Sequence, residues 1–134
     1  MRIAFGTDES TPLTAELVVC LAERGHEVIV LADGGPWPSV GRLVGEAVAA
    51  GQAERGIVCC HTGTGVSIAA NKVAGVRAAL CVDADTARGA RRWNDANVLA
   101  LSLRATSSTL AAEIVDAFLS TEVDESERDN IAQV

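Results

Sequence analysis

Short apolar runs alternate with segments of helical period along this chain. Residues 2–6 read as a strand that ends at a turn. Thr11 can cap a helix with Pro12 at its first position, and Leu13, Leu17, Cys20 and Leu21 then share one face until Gly25 stops it. Residues 27–31 predict the second strand, and the Asp-Gly-Gly-Pro-Trp-Pro run at 33–38 predicts a loop. A helix from about Gly41 presents Leu43, Ala47 and Ala50, and Gly51 ends it. Residues 56–60 are apolar on both faces and read as a third strand, followed by a short helix over 66–73 and a fourth strand over 78–82. Asp83 can cap a helix that reaches about Trp93. Residues 97–101 predict a fifth strand. Ser107 or Ser108 starts the last long helix, with Leu110, Ile114, Ala117 and Phe118 on its inner face.

Strands that alternate with helices, several of them apolar throughout, are the pattern of a parallel sheet covered on both faces. Right-handed crossovers then give an α/β fold of three layers, a doubly wound five-stranded parallel sheet of Rossmann-like type. The 134 residues fit one domain, taken as 1–121. Residues 122–134 turn acidic and polar and read as a C-terminal tail or an arm that docks on a partner subunit.

Composition narrows the function. Aromatics are only 3% of the chain, so the core must be aliphatic. The net charge is −7, which gives a nucleic-acid partner no basic face to bind. Arg88, Arg91 and Arg92 are the clearest positive cluster and read equally well as a solvated helix face. No run approaches a membrane span, and the N-terminus enters a strand without a signal-like segment. Cys20, Cys59, Cys60 and Cys81 form no CxxC pair, which fits reduced, cytoplasmic thiols and no zinc site.

In doubly wound sheets ligands bind beyond the carboxyl ends of the strands. Thr7-Asp8-Glu9, the run from Cys60 to Ser67, and Asp83 stand there. Trp93 and Asn94 precede the fifth strand, so only a bent or partner-shared site would include them. Gly63 and Gly65 let backbone approach a ligand, and successive amides at a helix start form an anion nest. The loop is neither a Walker loop nor a dinucleotide fingerprint. Cys60 faces that helix start, and the positive end of a helix favours a thiolate. The alternative is a small buried hydrophobe. His61 reads as an exposed loop residue, and Asp8 as a hydroxyl ligand or a turn cap.

The run Gly-Ile-Val-Cys-Cys-His-Thr-Gly-Thr-Gly-Val-Ser-Ile-Ala-Ala-Asn-Lys-Val from Gly56 to Val73 resembles the signature of the type B ribose-5-phosphate isomerases. Their relatives are the galactose-6-phosphate isomerase subunits. The segments from Gly75 to Cys81, from Asn94 to Ala100 and from Arg2 to Asp8 fit the same pattern, so the resemblance spans nearly the whole chain. It implies an aldose–ketose isomerase that acts on a sugar or sugar phosphate and moves a proton between C1 and C2 through an enediolate. It also implies no metal or organic cofactor, and a homodimer or tetramer with shared active sites. One branch of the family uses the cysteine at the Cys60 position as base. Another uses a glutamate six residues further on, where this chain has Val66. Thr62 matches a hydroxyl near the substrate oxygens, and the amides around Gly63, Gly65 and Ser67 would hold the oxyanion. Asp8 and Asn94 match positions that bind sugar hydroxyls, and Arg104 matches one member of the phosphate cluster.

The departures point to an altered substrate. Glu9 stands where the family usually has a histidine near the phosphate. A carboxylate ~5 Å from one phosphate charge costs about 3 kcal/mol at an effective dielectric near 20. Trp93 stands where the family has the ring-opening histidine, and the tail lacks the usual pair of arginines, with Arg128 alone nearby. Two further readings stay open: a non-catalytic or half-site subunit completed by a homologous chain, and a small-molecule binding module that kept the fold.

Overall fold

The computed structural model describes all residues, 1–134. Five parallel strands form one sheet in the order β2-β1-β3-β5-β4. They are β1 (Arg2–Thr7), β2 (Glu27–Asp33), β3 (Arg55–Cys60), β4 (Ala78–Leu80) and β5 (Val98–Ser102). The helices α1 (Pro12–Glu23), α2 (Trp37–Ala49), α3 (Thr64–Asn71), α4 (Ala84–Asn94) and α5 (Ser108–Ser120) connect and follow them. No helix is long and apolar enough to cross a membrane.

Side chains alternate across the sheet, so each strand feeds two cores. Ile3, Phe5, Ile57, Cys59, Leu99 and Leu101 pack under α1, α4 and α5. Ala4, Val58, Cys60, Val98 and Ala100 pack under α2 and α3. This period of two separates the adjacent cysteines, with Cys59 on one face and Cys60 on the other beside Val66 of α3. Only Phe5 and Phe118 bring aromatic rings into the core, while Trp37 and Trp93 remain exposed.

The local signals hold at the caps. Thr11 accepts from the Thr14 amide, Asp83 from Thr86 and Ser107 from Leu110. The second helix differs from the expectation. It begins at Trp37, not near Gly41, because Pro38 falls in the first turn, where a missing N–H leaves no bond unmade. Its buried face is therefore Val40, Val44 and Ala47, and Leu43 and Ala50 point outward. Gly41 lets this helix press on α3, since a Cβ there would stand 2.7 Å from the Val66 carbonyl oxygen.

The arginine cluster of α4 is not a solvated face. Arg91 is only 1% exposed. Its Nη1 donates to Asp95 Oδ1 at 2.8 Å and to the Ala96 carbonyl at 2.6 Å, and its guanidinium lies 5.9 Å from the Phe118 ring centre. Arg88 pairs with Asp85 at the surface, and Arg92 is exposed. The last residues form a short 3₁₀ turn, Glu125–Glu127, and a helical turn, α6 (Arg128–Ile131). The Asp124 amide ties them to α4 through the Arg92 carbonyl at 2.8 Å.

Candidate active site

The carboxyl ends of β1, β3 and β5 meet at one edge of the sheet. Register places Thr7 beside Cys59 and Cys60 beside Ser102. Beyond β3 the chain turns at Gly63, whose φ of +77° favours glycine. The site has no space for a larger residue there, because a Cβ would stand 2.5 Å from Leu80 Cδ1 and 2.9 Å from the Leu101 backbone. The Gly63 amide returns to the Cys60 carbonyl at 3.2 Å. The segment after β5 holds the other side. The Leu103 amide donates to Cys60, the Arg104 amide to His61, and Ser102 Oγ to the His61 carbonyl at 3.1 Å.

This framework presents α3 end-on to the Cys60 strand end. The amides of Gly65 and Val66, in its first turn, have no acceptor within the chain. Thr62 is exposed beside them, and its Oγ1 lies 3.5 Å from the Thr64 amide. His61 and Arg104 are also exposed at this end, and Ser67 is half-buried in α3. Burial pushes the Cys59 thiol up to about 12 and the Cys81 thiol up to about 11. Neither supplies a thiolate near neutrality; Cys60 is the cysteine on the face of the sheet that α3 covers.

Asp8 completes the cluster. Its Oδ1 is buried and has no hydrogen-bond partner, an uncommon condition for a carboxylate oxygen. Burial, then the neighbouring Glu9, raises its carboxyl above the ordinary value, and His61 opposes the rise. A raised carboxyl value means that the fold favours the protonated form, so this charge lowers stability as pH rises through that value. Asp8→Asn is therefore expected to raise the thermal midpoint at neutral pH. The stability gain should fade on acidification. A midpoint that drops at neutral pH would contradict the assignment.

Two features were not visible from spacing. Trp37 opens α2 and lies over Gly65, where a Cβ would meet its ring at 2.9 Å; it walls the amide nest and is 45% exposed. Ser102 ties the end of β5 to the nest loop. Trp93 and Asn94, by contrast, do not join Cys60 within one chain. They end α4 ahead of β5, at the opposite end of a parallel sheet. The length of a strand, on the order of 15–20 Å, separates the two ends. There Trp93 and Asn94 line a cavity of about 720 Å³ with Glu127, Asn130 and Ile131 of the tail.

A family model described as Ribose/Galactose Isomerase matches residues 3–134. The chain belongs to this isomerase family. Ribose-5-phosphate isomerase B of Escherichia coli is 45% identical over 126 residues, covering 88% of this chain and 83% of the relative. The galactose-6-phosphate isomerase subunit LacB of Clostridium acetobutylicum is 39% identical over 127 residues, covering 89% and 72% respectively. The structure of ribose-5-phosphate isomerase B from Clostridium thermocellum superposes with a TM-score of 0.93 at 41% identity, covering 99% of this chain and 94% of that one. The doubly wound α/β fold is thus the family's, and the chain is an isomerase of the aldose–ketose type.

Proposed function

We propose that Cys60 is the base of this isomerase. The observation that carries this is the placement of Cys60 at the end of β3, beside the free first-turn amides of α3 and the unpartnered Asp8 carboxylate. The Cys60 thiolate takes the proton from C2 of an open-chain aldose. The C–H electron pair forms the C1–C2 double bond, and the carbonyl oxygen becomes the enediolate oxygen. The free amides of Gly65 and Val66 meet that charge; those of Gly63 and Ser67, expected from the sequence to do so, are taken by the Cys60 and Gly63 carbonyls at 3.2 Å each. Cys60 then returns the proton to C1 while the O2 proton passes to O1, with the Thr62 hydroxyl at these oxygens. Asp8 holds a substrate hydroxyl. NMR detection of isomerisation and of solvent deuterium at the carbon next to the carbonyl tests the step, with Cys60→Ala as the control.

A second copy of the chain completes the site. Trp93 and Asn94 stand too far from their own Cys60 to share its ligand, so in a dimer or tetramer they serve the neighbour's, together with the tail that lines their cavity. Mixing a Cys60→Ala chain with an Asn94→Ala chain is then expected to restore activity. In a symmetric dimer the 1:1 mixture should reach about a quarter of the wild-type rate, since half of the dimers carry one intact site. Two inactive chains that stay inactive after denaturation and joint refolding would sink the shared site. Glu9, Trp93 and the tail would set a substrate preference unlike that of the relatives, because each occupies a position where a cation or an acid–base group would assist a phosphorylated, ring-closed sugar.

A further inference from the structure

The cavity between the tail and the edge of the sheet has the lining of a sugar pocket and not of a phosphate pocket. Its volume of about 720 Å³ suits a monosaccharide. Trp93 forms one wall. Its indole folds back along α4 over Gly89, where a Cβ would stand 2.8 Å from the ring, and the residue is still 55% exposed. One ring face is thereby held by the helix, and the other is free to lie on the apolar C–H side of a sugar. Beside it the Asn94 carboxamide makes no hydrogen bond within the chain. Glu127 accepts from Asn130 Nδ2 through one oxygen at 2.8 Å, which leaves its second oxygen and Asn130 Oδ1 free. Side-chain amides of this kind donate to and accept from hydroxyls, and a carboxylate accepts from them. Val76 and Ile131 make the remaining surface apolar.

The cavity's own charges disfavour an anion. The one guanidinium in the lining, Arg77, is already held by Asp95, through the carbonyl at 2.9 Å and Oδ2 at 3.1 Å. Arg128 is turned onto Glu125 by two bonds of 3.0 and 2.8 Å. Glu127 is thus the uncompensated charge of the cavity, and a phosphate placed there would meet a carboxylate without a free cation. At the Cys60 end, Arg104 has no carboxylate partner, and Glu9 stands in the same group of strand-end loops.

We propose that this cavity receives the uncharged, hydroxyl-bearing end of the sugar, so that the chain acts on an unphosphorylated aldose or ketose. This rests on the reading in which a second copy brings the cavity to Cys60. Binding is measured first, by isothermal titration of the full chain carrying Cys60→Ser with free tetroses, pentoses and hexoses and with their terminal phosphates. The best free sugar is expected to bind about tenfold or more tightly than its phosphate ester. Trp93→Ala should weaken that binding by a similar factor, and Glu127→Arg should reverse the preference; Trp93 is exposed and Glu127 half-buried in the tail, outside both cores, and an unchanged thermal midpoint confirms that each variant folds. Tighter binding of the phosphate ester to the unaltered cavity overturns the proposal, as does a free sugar that ignores Trp93→Ala or a panel in which no free sugar binds. Solvent-deuterium exchange by the wild-type chain separates the two readings. Exchange on phosphate esters alone overturns this inference and leaves the isomerase step intact. Free-sugar binding at Trp93 without exchange on any sugar overturns the isomerase step and the claim that the chain acts on a free sugar, and leaves only the cavity's preference for an uncharged end.

Discussion

Cys60→Ala is expected to lower the rate of isomerisation and of solvent-deuterium incorporation by about 10²–10⁴ or more, the usual loss when a positioned proton-transfer group is removed. The fold should survive. Cys60 is a small buried side chain, and its truncation removes only one sulfur from the core shared by α2, α3 and the sheet. A cost of order 1 kcal/mol follows. Cys59→Ala is the matched control. It removes a sulfur from the adjacent position on the other face, where burial already holds the thiol neutral up to about 12. The second variant should lose similar stability and keep its activity. Equal rates for both variants would remove Cys60 from the mechanism. Cys60→Ser adds a finer test, because it keeps a hydrogen-bonding group of similar size with a much weaker acid. Its rate should stay near that of the alanine variant.

Arg91→Ala is expected to lower stability by about 3 kcal/mol, toward the low end of what breaking a buried pair costs. Several bonds fail together. Asp95 loses its 2.8 Å partner, and the carbonyls of Ala96 and Thr121 lose their donors at 2.6 and 3.3 Å. The space left beside Phe118 adds a cavity. Asp95 retains Arg77 and is partly solvated, so the upper end of the range does not apply. For a chain of this size the thermal midpoint should fall by about 10 °C. Arg88→Ala, at an exposed i,i+3 pair with Asp85, should change stability by about 0.5 kcal/mol or less. The loss at Arg91 should persist in high salt, since a buried pair is poorly screened. Hydrogen exchange should rise most across residues 122–134, because Arg91 holds the Thr121 carbonyl at the point where the tail leaves α5. Similar midpoints for the two arginine variants would show that burial at Arg91 carries no net stabilisation.

How much of this was legible in the residues follows from the range of each interaction. The strand and helix alternation, the caps at Thr11, Asp83 and Ser107, and the glycine-bearing run from Cys60 to Ser67 depend on neighbours a few positions apart, and linear spacing records them. The inward face of α2 is not legible in the sequence because its starting point is not. A proline within a first turn looks like a loop residue until the turn is seen. Arg91 looks like its neighbours Arg88 and Arg92 in the sequence, and only the packing of α4 on α5 decides which of the three goes inside. Trp37 meets Gly65, and the tail meets Trp93, across separations that carry no local signature. The chemical inventory of the site was thus written in consecutive residues. Its division into a Cys60 end and a Trp93 end was legible as well, because in a parallel sheet a segment that follows one strand and a segment that precedes another lie at opposite ends; only the tertiary structure decided what walls each end, Trp37 at Gly65 and the tail at Trp93, because those contacts join residues far apart in the chain.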